Sequence, residues 1–294
     1  AYGNTGVGIS IDGPIAAFTN GLAYNNTTHG IQLTGGVAYV SDSVAHDNGS
    51  IGIWIESPGA GARIEGNRTY GNNVGLQVYN SGSGAEAIVG SMDLSLGRGN
   101  LSYGNRAIGI QAAYNTRVAG NTVFGQTNQF STGISVFAGP SVSRNVVHGN
   151  YIGIDVGGTD VSENRVYNNT GIGIRGSAGQ GFARNVIYSN PTNLQVSLGN
   201  VVRNNLIYGS EDYGVYATGV AGVQLLNNTI LAAEGDAVRF QGGSNNVTLR
   251  NNIVQVAQGY GVSVAADSQA GFVSDYNLFY TTGSGDVGLW QGTD

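Results

Sequence analysis

Residues 145–190 read NVVHGNYIGIDVGGTDVSE, NRVYNNTGIGIRGSAGQGFAR and NVIYSN, which is one pattern begun three times. An Asn stands at 145, 164 and 185, a His or Tyr follows at 148, 167 and 188, and a second Asn comes at 150, 169 and 190. Between the second Asn of one pass and the first Asn of the next lie short apolar pieces of period two, too short to bury a face of their own. A unit of this kind becomes stable by stacking on its copies, so the period fixes the architecture before any local element is considered.

The pattern extends in both directions. Gly-Ile-x-Ile or a close relative recurs with first apolar members Ile9, Ile31, Ile53, Leu76, Ile110, Ile134, Ile154, Ile172, Leu194, Val215, Val238 and Val262. The steps are near 22 residues, with a longer one from Leu76 to Ile110. The first polar column is Asn67, Asn100, Asn121, Asn145, Asn164, Asn185, Asn205, Asn228, Asn252 and Asn277, with Gly21 and Ser43 in the earlier turns. The second is Asn26, Asn48, Asn72, Asn105, Gln126, Asn150, Asn169 and Asn190, lapsing to Ser210 and Ala233. Asn suits such corners because it tolerates left-handed backbone and bonds its copies in the turns above and below.

These columns predict an all-β fold, a right-handed parallel β-helix (solenoid) of about twelve three-strand turns, as a single domain over residues 1–294. An irregular insertion is expected near 81–100. Inward positions are the Ile-x-Ile strand and the residue three before the ladder Asn, as in Ile64, Val118, Val142, Val161, Phe182, Val202, Leu225 and Leu249. In the third strand the apolar role alternates: Leu22 and Val44 place it directly after the corner slot, Ile187, Ile207 and Ile230 one residue later. Both chain ends cut through the pattern, so the sequence reads either as a fragment of a longer protein, whose other domains are then candidate partners, or as a processed form.

Composition narrows the function. Fifty glycines, four prolines and 10% charged residues mark a turn-dominated fold. The formal net charge of −6, with Arg as the sole basic residue besides three His, argues against a nucleic-acid partner. With no Cys there are no disulfides, thiolate metal sites or thiol nucleophiles. No run of eighteen apolar residues is present to span a membrane.

The three columns resemble the right-handed parallel β-helix repeat of pectate-lyase-like proteins and of the carbohydrate-binding and sugar-hydrolase repeats that include a periplasmic copper-maturation family. The resemblance runs from Tyr2 to about Tyr280. It implies a parallel β-helix and leaves function open among polysaccharide lyases, uronate epimerases, glycosidases, tailspikes and adhesins. The Asp-Pro-His signature of mannuronate epimerases is missing, and there is no Lys to serve as a lyase base.

Side chains pointing outward from the Ile-x-Ile strand are the face such proteins use for saccharides. Here they are Ser10, Gln32, Trp54, Gln77, Gln111, Ser135, Asp155, Gly173, Gln195, Tyr216, Arg239 and Ser263. Trp54 and Tyr216 could stack on sugar rings and the Gln amides could bond hydroxyls. The candidate carbohydrate-binding residues are Trp54, Glu56, Gln77, Tyr79, Gln111, Asp155, Tyr216 and Arg239, weighed against a plain solvated β face. Asp12 and His29 lie near Trp54, with His29 and Glu56 at opposite ends of their strands. No paired carboxylates at glycosidase spacing are evident, so no catalytic residue is assigned.

An aromatic column, Tyr70, Tyr103, Phe124, His148, Tyr167, Tyr188, Tyr208 and Tyr280, with Tyr2, Tyr24 and His46 by spacing, faces either solvent or core. Arg144, Glu163 and Arg184 precede the ladder Asn in successive turns and read as cross-strand ion pairing. In the insertion the polar groups of catalytic type are Glu86, Asp93 and Arg98. Asp93 is the kind of oxygen ligand Ca²⁺ takes, and a lone carboxylate does not specify a site. No metal or other cofactor is expected.

The resulting expectation is a secreted or surface β-helix module, extracellular, cell-surface or periplasmic, with a structural or carbohydrate-interacting role and a polysaccharide or glycan as partner. The alternative is a polysaccharide lyase or uronate epimerase acting on an acidic polysaccharide. A pure spacer in a larger surface protein is a third class.

Overall fold

The computed structural model describes residues 1–56, 61–81 and 86–290. Within them the chain is all-β: every third strand joins the same sheet, giving three parallel sheets of 13, 12 and 12 strands, about twelve turns of solenoid. Helix is limited to two single turns of 3-10 type, Leu94–Leu96 and Ala266–Ser268. Packing divides the chain into two compact units, Ala1–Asp155 and Val156–Asp294.

Each turn needs sharp corners, and the backbone makes them with left-handed residues. The position just before the first polar column has φ between 52° and 59° at Asp42, Arg144, Glu163, Arg184, Asn204, Asn227, Asn251 and Tyr276, and Gly120 holds the same corner at 67°. This region costs an L-residue roughly 1–2 kcal/mol, which explains why Asn, Asp and Gly dominate there.

The corner amides then tie neighbouring turns. In the first unit Asn67 donates its Nδ2 to Asn100 Oδ1 at 3.0 Å, Asn100 to Asn121 at 2.9 Å, and Asn121 to Asn145 at 3.0 Å. Ser43 Oγ accepts from Gly21 N at 3.1 Å, the hydroxyl version of the same bond. In the second unit Asn164, Asn185, Asn205, Asn228 and Asn252 each donate to the next member, ending on Asn277, at 3.0 to 3.1 Å. Up to Asn252 these amides are buried, and each also accepts a backbone N–H, so little polar potential is left unmet.

The core is a set of single-residue columns. Ile31, Ile53, Leu76, Ile110 and Ile134 face inward from the first sheet, and Val40, Ile64, Val89, Val118 and Val142 from the second, all at 0% exposure. The third strand resolves in favour of the second residue after the corner throughout: Ala23, Ala45, Val123, Val147, Ile187, Ile207 and Ile230 are buried, while Leu22 is 48% exposed. Leu22 and Val44 mislead because the inward neighbour in those turns is only Ala. Thr69 and Ser102 take the inward place in two turns and satisfy each other, Thr69 Oγ1 donating to Ser102 Oγ at 2.9 Å and Ser102 Oγ to Gly109 O at 2.8 Å.

Two further registers differ from expectation. Leu194 pairs with Ile174, not Ile172, so the outward residue of that turn is Arg175 and not Gly173. The repeat Ile172-Gly173-Ile174 offers two equivalent readings, and the sheet register selects Ile174. The second polar column also continues past Asn190, whose Nδ2 donates to Asn193 Oδ1 at 2.8 Å, so a strand residue three positions on stands in for the missing corner amide.

Of the stretch 81–100, residues 82–85 lie outside the described residues. Ala87–Gly90 is that turn's second-sheet strand, pairing with strands Arg63–Glu65 and Thr116–Ala119. Between that strand and Asn100 lies the 3-10 turn Leu94–Leu96, capped by Asp93, which accepts from Ser95 N at 2.9 Å and Ser95 Oγ at 2.6 Å. These bonds hold the Asp93 carboxyl below the usual carboxylate range. Arg98 reaches Glu65 at 3.0 Å and Asp42 at 3.5 Å, and Arg117 grips Glu86 with two bonds at 2.9 and 3.0 Å. Arg98 and Glu86 thus fasten the insertion to the solenoid, while Asp93 braces its own turn.

Candidate functional site

The outward face of the first sheet carries the predicted strip in register: Ser10, Gln32, Trp54, Gln77, Gln111 and Ser135 are successive cross-strand neighbours. Trp54 leans toward the start of its strand and lies on His29, ring centroids 4.7 Å apart at 59°. Burial under this contact lowers the His29 pKa, so its imidazole is neutral near pH 7.

At the other end of the same strands a cleft of about 390 Å³ opens, lined by Glu56, Tyr79, Gln111, Tyr114, Ser135 and Phe137. It lies along the ends of strands Ile51–Glu56, Val74–Asn80, Ile108–Tyr114 and Thr132–Phe137. Tyr79 and Glu56 are paired in register, which puts a phenol beside a carboxylate. Tyr114 and Phe137 meet edge to face at 6.4 Å and are 48% and 62% exposed. Tyr114 also holds φ at +59°, where Gly or Asn would be less strained. A bulky ring kept at that position projects where an ordinary strand residue would not.

Of the predicted residues, Glu56, Tyr79 and Gln111 therefore meet in one cleft, and Trp54 and Gln77 continue the strip beside it. Tyr114 and Phe137 were missed, since their first-sheet strands run longer than the Ile-x-Ile core that marked the column. Asp155 lies on the strand Ile152–Gly157 of the same sheet. Tyr216 and Arg239 belong to a different constellation, in the second unit. Arg239 is held by Asp236 at 3.1 Å and Gln241 at 2.9 Å, Gln241 donates to the Tyr216 hydroxyl at 2.8 Å, and Tyr213 stacks on Tyr216 at 4.8 Å. That closed network engages the guanidinium within the fold. Among the described residues no group of three or more His, Asp or Glu is gathered to hold a metal ion.

The aromatic column lies on the outer face of the third sheet. In the first unit Tyr2, Tyr24, His46, Tyr70, Tyr103, Phe124 and His148 stack with centroids 4.6 to 5.2 Å apart and planes within 14°. In the second unit Tyr167, Tyr188 and Tyr208 stack at 4.9 and 4.7 Å. Arg68 and Arg165 lie over these rings, with Nε donating to Tyr103 and Tyr188 hydroxyls at 2.8 and 3.0 Å. The Tyr188 bond raises the Arg165 pKa. Ring faces are consumed by one another, so within the stack a sugar finds edges rather than platforms.

Residues 132–277, just under half of the chain, match a family described as a right handed beta helix region. The chain is a right-handed parallel β-helix repeat protein. Among solved structures, this β-helix is similar to the Dettilon tailspike protein (gp208), at 14% identity and a TM-score of 0.54, over 90% of this chain and 61% of the tailspike. The β-helix thus spans about three fifths of that relative's length. Fainter likenesses are to the A-module of the Azotobacter vinelandii mannuronan C-5 epimerase AlgE6, at 14% identity, TM-score 0.44, and 96% and 92% coverage, and to an alginate lyase from Paenibacillus sp. str. FPU-7, at 14%, 0.42, and 97% and 98%. No curated protein matches the sequence. Among its described residues no helix is long and apolar enough to cross a membrane.

Proposed function

We propose that this β-helix is a carbohydrate-interacting module of an extracellular, cell-surface or periplasmic protein, and that it holds a saccharide in the cleft between Glu56 and Phe137. The observation that carries the reading is the exposed Tyr114–Phe137 pair facing Glu56, Gln111 and Ser135 across about 390 Å³. Saccharide sites need an apolar platform for ring C–H groups and a few fixed polar groups for hydroxyls. This cleft offers both, and Gln77 and Trp54 carry the same chemistry onward along the strip.

The test is binding to a panel of neutral and acidic polysaccharides, measured by calorimetry or affinity electrophoresis. Phe137→Ala is expected to weaken binding about tenfold, in line with about 1–3 kcal/mol for a stacking ring. Retention of no glycan by the native protein refutes the reading. A lyase or epimerase acting on an acidic polysaccharide is the second reading, favoured by the Glu56–Tyr79 pairing. Unsaturated product seen by ultraviolet absorbance, or epimerised residues seen by NMR, would establish it.

A further inference from the structure

The ring stack of the second unit ends abruptly. Along the column, Tyr208 pairs with Leu231, Leu231 with Gln255, and Gln255 with Tyr280. Tyr188 and Tyr208 are 4.7 Å apart with planes 1° off parallel, so the far face of Tyr208 is turned toward a rung that carries a leucine. A leucine side chain is shorter than a tyrosine and fills only the base of that rung.

The neighbouring column thins at the same level. Where earlier turns carry corner amides, these carry Ser210, Ala233 and Ala257. The two effects coincide in a hollow of about 320 Å³ lined by Tyr208, Gly209, Leu231, Ala233, Gln255 and Ala257. Its size is at the lower end of ligand pockets, which run from about 300 to 1,000 Å³.

We infer that this hollow binds one flat aromatic ring of a small molecule, which stands on Leu231 and takes the place of the missing rung. Tyr208 and Gln255 are two strand spacings apart, about 9.6 Å. A ring midway lies about 4.8 Å from each, the interval at which Tyr167, Tyr188 and Tyr208 already stack. Ring faces at this separation attract by dispersion and gain from burial of both surfaces.

The lining selects the chemical class. Apart from the Tyr208 phenol, its side chains offer a single polar group, the Gln255 amide, and no charge. A pyranose would bring several hydroxyls against alanine and leucine, and each one left unpaired costs about 1–3 kcal/mol. A phenol or a similar ring with one hydrogen-bonding substituent brings one polar group, and Gln255 can pair with it. The site is on the third sheet and is independent of the first-sheet cleft.

The experiment titrates p-cresol into the full chain, read by saturation-transfer NMR and by chemical shifts of Leu231 and Gln255. Saturable binding with a dissociation constant of about 1 mM or tighter is expected for a ligand of this size. Leu231→Tyr supplies the rung from within and is expected to weaken p-cresol binding at least tenfold while the protein stays folded, since tyrosine already occupies this column in four turns of the unit. Tyr208→Ala is expected to weaken it as much by removing the platform. No saturable binding, or binding unchanged in Leu231→Tyr, overturns the proposal, and equal binding of methyl glucoside overturns the aromatic class.

Discussion

His29 shows how one contact sets a residue's charge. Trp54 covers its ring, and the resulting desolvation lowers its pKa from 6.5. The unfolded chain then binds more protons than the folded one between the lowered value and 6.5. The stabilising effect is therefore complete above about pH 6.5 and is lost as pH falls below it. The melting-temperature advantage of the native protein over His29→Gln is expected to shrink between about pH 7.5 and pH 5; a constant difference contradicts this. At the same scale, Tyr114 and Phe137 escaped a reading by columns because each turn's first-sheet strand can lengthen by a residue or two without disturbing the period.

At the scale of strands and corners, the amide stack joins one turn to the next. Asn185 donates to Val161 O and Asn205 Oδ1 and accepts two N–H groups from Asn164. Truncation leaves several buried partners unmet, so Asn185→Ala is expected to cost about 3 kcal/mol or more in urea denaturation. Asn185→Ser, which copies the hydroxyl of Ser43, is expected to lose less, and a cost below about 1 kcal/mol for the alanine variant would show that the stack is not a stabilising element. The columns were legible because Asn, Ile and Tyr recur on a fixed period. What the period could not decide was phase: Gly173 and Arg175 are two residues apart in an Ile-Gly-Ile run, and only the sheet register selects Arg175 as the outward residue. Likewise Ala23 and Ala45 carry too little hydrophobic signal to outweigh Leu22 and Val44. Asn193 lies outside the column's spacing altogether and is found only through its bond to Asn190.

At the scale of the whole molecule, the exposed ion pairs contribute little to cohesion. The ion pairs Arg184–Glu163, Arg117–Glu86 and Arg250–Asp275 are all partly exposed, and pairs of that kind contribute at most about 1 kcal/mol each. Raising sodium chloride to about 1 M is therefore expected to move the melting temperature by no more than about 4 °C, and a larger drop would mean that ion pairs hold the turns together.

The corner bonds also have a direction. In the first amide stack the backbone N–H and Nδ2 of one turn donate to the Oδ1 of the turn that follows in sequence. A chain leaving the ribosome amino end first thus completes a turn whose donors point toward residues not yet synthesised, and the next turn accepts them while exposing its own. Assembly in that order would extend the stack at an edge that, from Asn67 onward, carries the backbone N–H and the Nδ2 of its last Asn.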